Sequence, residues 1–190
     1  MMVLGIAGSP HPNGNTAYAV NYALDVLSKQ GIATTYISLA GKNIKPCIGC
    51  WKCSDTGVCF QNDDMSGIIE LMKLSDGILI GSSVHFGMVS GQLKTMMDRC
   101  VQLRPNYGED LPLSGKTGGA IACAYSRNGG QETTLQNIQT FMLQMNMRVI
   151  SDGPAYTHAG ATLMGEAKDD AWGLETVKNL ALNMARMLRR

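Results

Sequence analysis

The chain has 190 residues, 45% of them hydrophobic and 16% charged, and a formal net charge of +1, which suits one well-buried core and falls short of two ordinary domains. Near-neutral charge, 6% aromatic content and no basic stripe exclude nucleic acid as the main partner, because a phosphate backbone calls for clustered Lys and Arg. No apolar run reaches the length of a membrane span, and the opening MMVLGIAGSP lacks the basic flank and cleavage site of a secretory signal, so a cytoplasmic protein with no membrane partner is expected.

In chain order, the apolar run Val3–Ala7 predicts a strand, and the loop GSPHPNGNT (Gly8–Thr16) leads into a helix over Asn15–Gln30 with Ala17, Val20, Leu24 and Leu27 as its inner stripe. Ser9, Asn13, Gly14, Asn15 and Thr16 put short polar groups and backbone amides around that helix N-terminus, where the helix dipole favours an anion. A plain N-cap requires fewer such residues, so the loop reads as a phosphate cradle. No GxGxxG occurs, which disfavours a dinucleotide gripped in Rossmann fashion.

A strand over Ile32–Leu39 precedes PCIGCWKCSDTGVC, Pro46–Cys59, within a predicted cluster-binding loop over residues 46–62. A reducing compartment argues against disulfides among Cys47, Cys50, Cys53 and Cys59. The spacing C-x2-C-x2-C-x5-C lacks the second half of a zinc ribbon or finger. Its overlapping C-x2-C steps match the way bacterial ferredoxins present thiolates to a cluster, which favours 4Fe-4S over zinc, with a thiol switch as a third reading. Gly57 lets the chain bring Cys59 back to the same cluster. Asp63 and Asp64 read as the cap of a helix that turns Ile68, Ile69 and Met72 inward.

Gly77–Ser82 reads as a buried strand, followed by SSVHFGMVSG, whose His85, Phe86 and Gly87 combine flat groups with free backbone as a flavin ring requires. A helix over Gly91–Leu103, a loop with Pro105 and Pro112, and a strand over Gly118–Ala124 come next. In AYSRNGGQE, Gly129 and Gly130 permit a close backbone approach before a helix over Glu132–Met145. A strand over Arg148–Ser151, a long surface loop holding Tyr156 and His158, and a helix showing Leu174, Val177, Ala181, Met184 and Leu188 complete the chain. Cys100, Cys123 and the scattered methionines read as core.

Alternating strands and helices without a linker predict one α/β domain over residues 1–190, a doubly wound five-stranded parallel sheet in the flavodoxin-like order 2-1-3-4-5 with the cysteine-rich loop after strand 2. Ligands of such sheets sit at the carboxyl ends of strands 1 and 3, and a mononucleotide such as FMN suits that order.

With GSPHPNGNT, CIGCWKCSDTGVCFQNDDM, SVHFGMVSGQLKTMMDR and SRNGGQETT in order, the chain resembles the iron-sulfur flavoproteins, a branch of the NADPH-dependent FMN reductase superfamily. The resemblance implies a flavin-dependent oxidoreductase holding FMN and one 4Fe-4S cluster, in homodimers paired into tetramers, with the cluster of one subunit near the flavin of another. It implies a ferredoxin-like electron donor and oxygen or peroxide as acceptor. By motif, Cys47, Cys50, Cys53 and Cys59 would ligate the cluster, and Ser9, His11, Asn13, Gly14, Asn15 and Thr16 would hold the phosphate. Ser83, Val84, His85, Phe86 and Gly87, with Ser126, Arg127, Asn128, Gly129 and Gly130, would line the ribityl chain and ring. His11 stands where the family usually has Arg, and His85 where Tyr is common. Two alternatives are an NAD(P)H-dependent flavin or quinone reductase with structural or zinc-bound cysteines, and a non-catalytic redox sensor.

Overall fold

Apolar runs too short for helices pair side by side, and the longer periodic segments between them coil and cover the resulting sheet. The computed structural model describes residues 1–105 and 111–190. Its strands are β1 (Met2–Ala7), β2 (Ala33–Ser38), β3 (Gly77–Ser83), β4 (Thr117–Ala124), β5 (Arg148–Val149) and β6 (Ala161–Met164). They form one sheet in the order β2-β1-β3-β4-β5, with β6 also on β4, and every pairing is parallel. The order 2-1-3-4-5 is the expected one.

The helices are α1 (Asn15–Lys29), α2 (Met65–Leu74), α3 (Gly91–Arg99), α4 (Gln131–Gln144) and α5 (Ala171–Leu188). Successive strand residues point to opposite faces, and the core divides accordingly. Leu4, Ile6, Ile78 and Ile80 pack with residues of α2, α3 and α4, while Val3, Ala7, Leu79 and Ile121 pack with residues of α1 and α5. On the second face an added Cβ at Gly5 would lie 2.7 Å from Val20, and one at Gly81 2.6 Å from it. α1 therefore rests directly on the backbones of β1 and β3, which sets its N-terminus at the strands' carboxyl edge. Cys100 and Cys123 are buried, as are Met65, Met72, Met96, Met142 and Met184. Among the described residues no helix is long and apolar enough to cross a membrane.

Two expectations need correction. The helix expected over Gly91–Leu103 is α-helical only to Arg99 and tightens into a 3-10 turn over Cys100–Leu103. The last strand, expected over Arg148–Ser151, pairs with the start of β4 for two residues only. The chain then leaves the sheet and returns as β6, an unforeseen sixth strand that pairs with Ile121–Ala124 at the other end of β4. The excursion is closed by buried Asp152, which accepts from His158 N at 2.6 Å and lies 2.8 Å from His158 Nδ1. Gly153, with φ +86°, supplies the bend.

Candidate functional site

At the carboxyl edge of the strands, three loops are tied to one another. Gly8 N donates to Gly81 O at 2.8 Å, and the Ser90 hydroxyl donates to Gly8 O. Ser90 N donates to Ser82 Oγ at 3.0 Å, and Ser90 Oγ accepts from Leu93 N at 3.1 Å, capping α3. Two fully buried serines thus join the loop after β1 to the loop after β3.

In the first of these loops, Ser9 is buried and its Oγ accepts from His11 N at 3.1 Å. His11 and Asn13 are exposed. Gly14 occupies the N-cap of α1 without any side-chain capping bond, so the first-turn amides keep the partnerless N–H groups that attract anions. Two residues expected at a phosphate turn their side chains elsewhere. Asn15 donates from Nδ2 to Gly165 O at 2.8 Å and accepts from Ala167 N at 3.0 Å, bracing the loop after β6. Thr16 is buried beside Cys123. Burial pushes that thiol up to about 12, against the opposing hydrogen bond with Thr16.

After β3, His85 and Met88 exchange backbone hydrogen bonds of 2.9 and 3.0 Å across a turn in which both Phe86 (φ +51°) and Gly87 (φ +76°) are left-handed. An aromatic residue in that region is strained, and the turn turns the Phe86 ring fully out to solvent. His85 Nε2 lies 3.1 Å from Ser83 Oγ. The loop after β4 leans on this turn: Thr133 Oγ1 donates to Gly87 O at 2.6 Å and lies 2.9 Å from Gly130 O. Ser126, Arg127 and Asn128 are exposed, and Gly129 and Gly130 half-buried. Tyr125, which the motif reading passed over, is 95% exposed. Its only sequence signal is an aromatic residue at the end of a buried strand.

The cysteine loop is built on a clasp. Asn43 N donates to Asp64 Oδ2 at 2.7 Å, Asp64 N to Asn43 O at 3.1 Å, and Lys45 N to Asp63 Oδ2 at 3.0 Å. Gln61 Nε2 donates to Pro46 O at 3.1 Å. Beneath the clasp, Arg99 at the end of α3 donates to Lys45 O at 2.7 Å and to the two oxygens of Asp63 at 2.6 and 3.2 Å. These two side chains are 2% and 0% exposed.

The reading of Asp63 and Asp64 as helix caps therefore holds only in part. Asp63 Oδ1 does accept from Met65 N at 3.1 Å, yet its main partner is 36 residues away. Asp64, at the N-cap of α2, makes no capping bond. Burial works to raise the Asp63 pKa, but the hydrogen bonds from Arg99, Lys45 and Met65 outweigh it and hold the carboxyl below its usual range.

Within the loop, left-handed Gly49, Trp51 and Gly57 turn the chain so that Cys47, Cys50, Cys53 and Cys59 all line one cavity of about 420 Å³. Ile48, Trp51 and Phe60 add apolar wall, and Arg99 and Gln102 form the side toward α3. Cys47 and Cys50 are exposed, Cys59 is half-buried and Cys53 is buried. Burial above all pushes the Cys53 thiol up, and the neighbouring sulfurs of Cys59, Cys47 and Cys50 add to the effect. Cys59 N donates to Gln102 Oε1 at 3.1 Å, and Gln102 Nε2 to Arg99 O at 3.1 Å.

The four thiols share a cavity without converging: among the described residues, no three His, Cys, Asp or Glu side chains stand in position to hold a metal ion. In kind the residues suit an anionic, thiolate-bound group, because the cavity offers four free thiols and the buried Arg99, whose Nε has no partner among the described residues.

The family described as NADPH-dependent FMN reductase matches residues 1–161. An iron-sulfur flavoprotein of Methanocaldococcus jannaschii is 46% identical, with 100% of this chain and 98% of that protein covered. One of Methanosarcina thermophila is 34% identical, covering 99% and 95% respectively. Among solved structures, RosB with a bound 8-demethyl-8-formylriboflavin-5'-phosphate intermediate superposes with a TM-score of 0.80 at 14% identity over 100% of this chain and 79% of that one. A flavodoxin from the domain Archaea gives 0.65 at 15% identity, with both chains fully covered; at such identities these two support the fold alone. The chain belongs to the NADPH-dependent FMN reductase family and, within it, to the iron-sulfur flavoproteins, and is a flavin-dependent oxidoreductase.

Proposed function

We propose that the protein is an electron-transfer oxidoreductase that holds FMN at the carboxyl edge of its sheet and a 4Fe-4S cluster in the cysteine loop. The observation that carries this reading is the shared cavity of Cys47, Cys50, Cys53 and Cys59 against a buried guanidinium, in a chain whose strand edge presents an uncapped helix N-terminus between bare loops.

Ser9, His11, Asn13 and the first-turn amides of α1 receive the phosphate. The turn Ser83–Gly87 and the segment Tyr125–Gly130 flank the ring, with Phe86 and Tyr125 as its flat neighbours. The four cysteines hold the cluster. When bound, the cluster supplies single-electron transfer, and FMN links one-electron to two-electron chemistry. The chain's own task is to bind, orient and shield these groups, and no acid or base is assigned. A low-potential donor such as ferredoxin, an acceptor such as oxygen or peroxide, and a homodimer or tetramer complete the proposal.

A second reading is an NAD(P)H-dependent reductase whose cysteines are structural, as the sulfurs' failure to converge favours, or, against that geometry, bind zinc. Anaerobic purification with iron, acid-labile sulfide, zinc and flavin assayed per chain separates the two. Four iron and four sulfide with one FMN are expected. Full zinc without sulfide, together with rapid bleaching of the flavin by NADPH, would replace the first reading with the second.

A further inference from the structure

Arg99 is among the largest fully buried side chains, and an ion pair in such a place is a poor source of stability. The desolvation of two charges roughly consumes their attraction, and apolar replacements are often neutral or better. What the pair does is set by its direction. Among the described residues, Arg99 forms part of the wall of the cysteine cavity, whereas Asp63, which accepts from its guanidinium, does not. Arg99 Nε is buried without a hydrogen-bond partner among the described residues.

An arginine keeps its charge at any ordinary pH, and Asp63 accepts from the guanidinium through both of its oxygens, at 2.6 and 3.2 Å. Gln102 connects Arg99 O to Cys59 N, so Cys59 is tied to the end of α3 through its backbone and lines the same cavity as Arg99. Among the described residues, the other charged members of the wall are Asp98 and Arg104, exposed and half-buried, opposite in sign and open to screening.

We propose that the Arg99–Asp63 pair is a fixed dipole that sets the reduction potential of the cluster held by Cys59, its positive end at the cavity and its negative end behind. The inference rests on the cluster reading above. Adding an electron to a thiolate-bound iron-sulfur group increases its negative charge, and a buried positive charge beside one ligand stabilises that reduced form. Charge and hydrogen bonds around the ligating sulfurs are known levers on such potentials. The carboxylate behind the guanidinium partly cancels the effect and fixes its size. Arg99 and Asp63 are thus positioning residues: they close the loop and tune the group the loop holds.

The two ends of a dipole give opposite signs. Asp63→Asn leaves the guanidinium uncompensated and should raise the cluster's midpoint potential. Arg99→Gln leaves a buried carboxylate and should lower it. Each shift should reach a tenfold change in the one-electron equilibrium, about 59 mV. The double variant Arg99→Gln/Asp63→Asn, neutral at both ends, should fall between them.

The measurement is an anaerobic redox titration of the full-length holoprotein followed by electron paramagnetic resonance, with iron and labile sulfide assayed in every sample. If the wild type contains no iron and sulfide, the cluster reading fails and takes this inference with it. If clusters are present and both single variants shift the same way, or neither moves, the pair is only a clasp and the dipole is refuted. Should Arg99→Gln lose its cluster, the near-isosteric Asp63→Asn still decides, since an unchanged or lowered potential overturns the proposal.

Discussion

Gly130→Ala tests whether the loops after β3 and β4 wall a flavin. Gly130 has φ +102°, where an L side chain costs about 1–3 kcal/mol. Its added Cβ would stand 2.4 Å from Gly87 Cα, a backbone atom that cannot swing aside, and the loops would have to part by about 1 Å to reach ordinary contact near 3.4 Å. That separation also stretches the 2.6 Å bond from Thr133 Oγ1 to Gly87 O. With each 1.4 kcal/mol worth tenfold, FMN affinity should fall by about 10- to 100-fold, read by quenching of FMN fluorescence on titration into flavin-free protein. Gly67→Ala is the matched control. That position lies in α2 with nothing within 4 Å of an added Cβ, and the change should stabilise by about 0.5–1 kcal/mol in denaturant unfolding and leave FMN affinity alone. If Gly130→Ala binds FMN within twofold of the wild type, the two loops do not enclose the ring.

Two further outcomes follow from burial and charge. In metal-free protein at neutral pH, an alkylating reagent should modify Cys47 and Cys50 first and Cys53 slowly. Cys100 and Cys123, both buried with pKa values pushed up by burial, Cys123 to about 12, should react only after unfolding; peptide mass spectrometry reads the order, and early modification of Cys100 would contradict its core packing. The Asp63 carboxyl has a folded pKa below its unfolded value of 3.8, so its contribution to stability is complete above that value and is lost as pH falls through the folded pKa. Protease cleavage of residues 46–62 in metal-free protein should therefore rise on acidification below about pH 3.8, measured with an acid-active protease, and Asp63→Asn should flatten that dependence.

What could be read from the sequence was local. The buried runs of β1, β3 and β4 have no polar alternation and stand out against turn residues, and the C-x2-C-x2-C-x5-C spacing needs no structure to be noticed. Asp63 accepts from Met65 N as a cap should, but its second partner Arg99 is invisible in the sequence, because nothing local separates a carboxylate that only caps a helix from one that also clamps a distant guanidinium. β6 was missed for a similar reason. Only Ala161 and Leu163 are buried of its four residues, a pattern too short to rise above the turn formers around it, and its partner in β4 lies 40 residues away. Asn15 has the type and place of a phosphate ligand, yet its amide bonds to the segment after β6, a contact across 150 residues that no local pattern announces.

The clasp and the strand edge stand at opposite ends of α3. Ser90, which ties the loops after β1 and β3 together, caps its first turn, and Arg99, which anchors the cysteine loop, ends its last. Nine helical residues rise about 13 Å, so within one chain the cysteine cavity is a helix length from the expected flavin. A groove of about 360 Å³ between α3 and α4 spans that interval, running from Met88 and Val89 beside the Phe86 turn to Met97, Asp98, Phe141 and Gln144, which it shares with the cavity wall. A single rigid helix therefore sets the spacing of the two candidate cofactor sites.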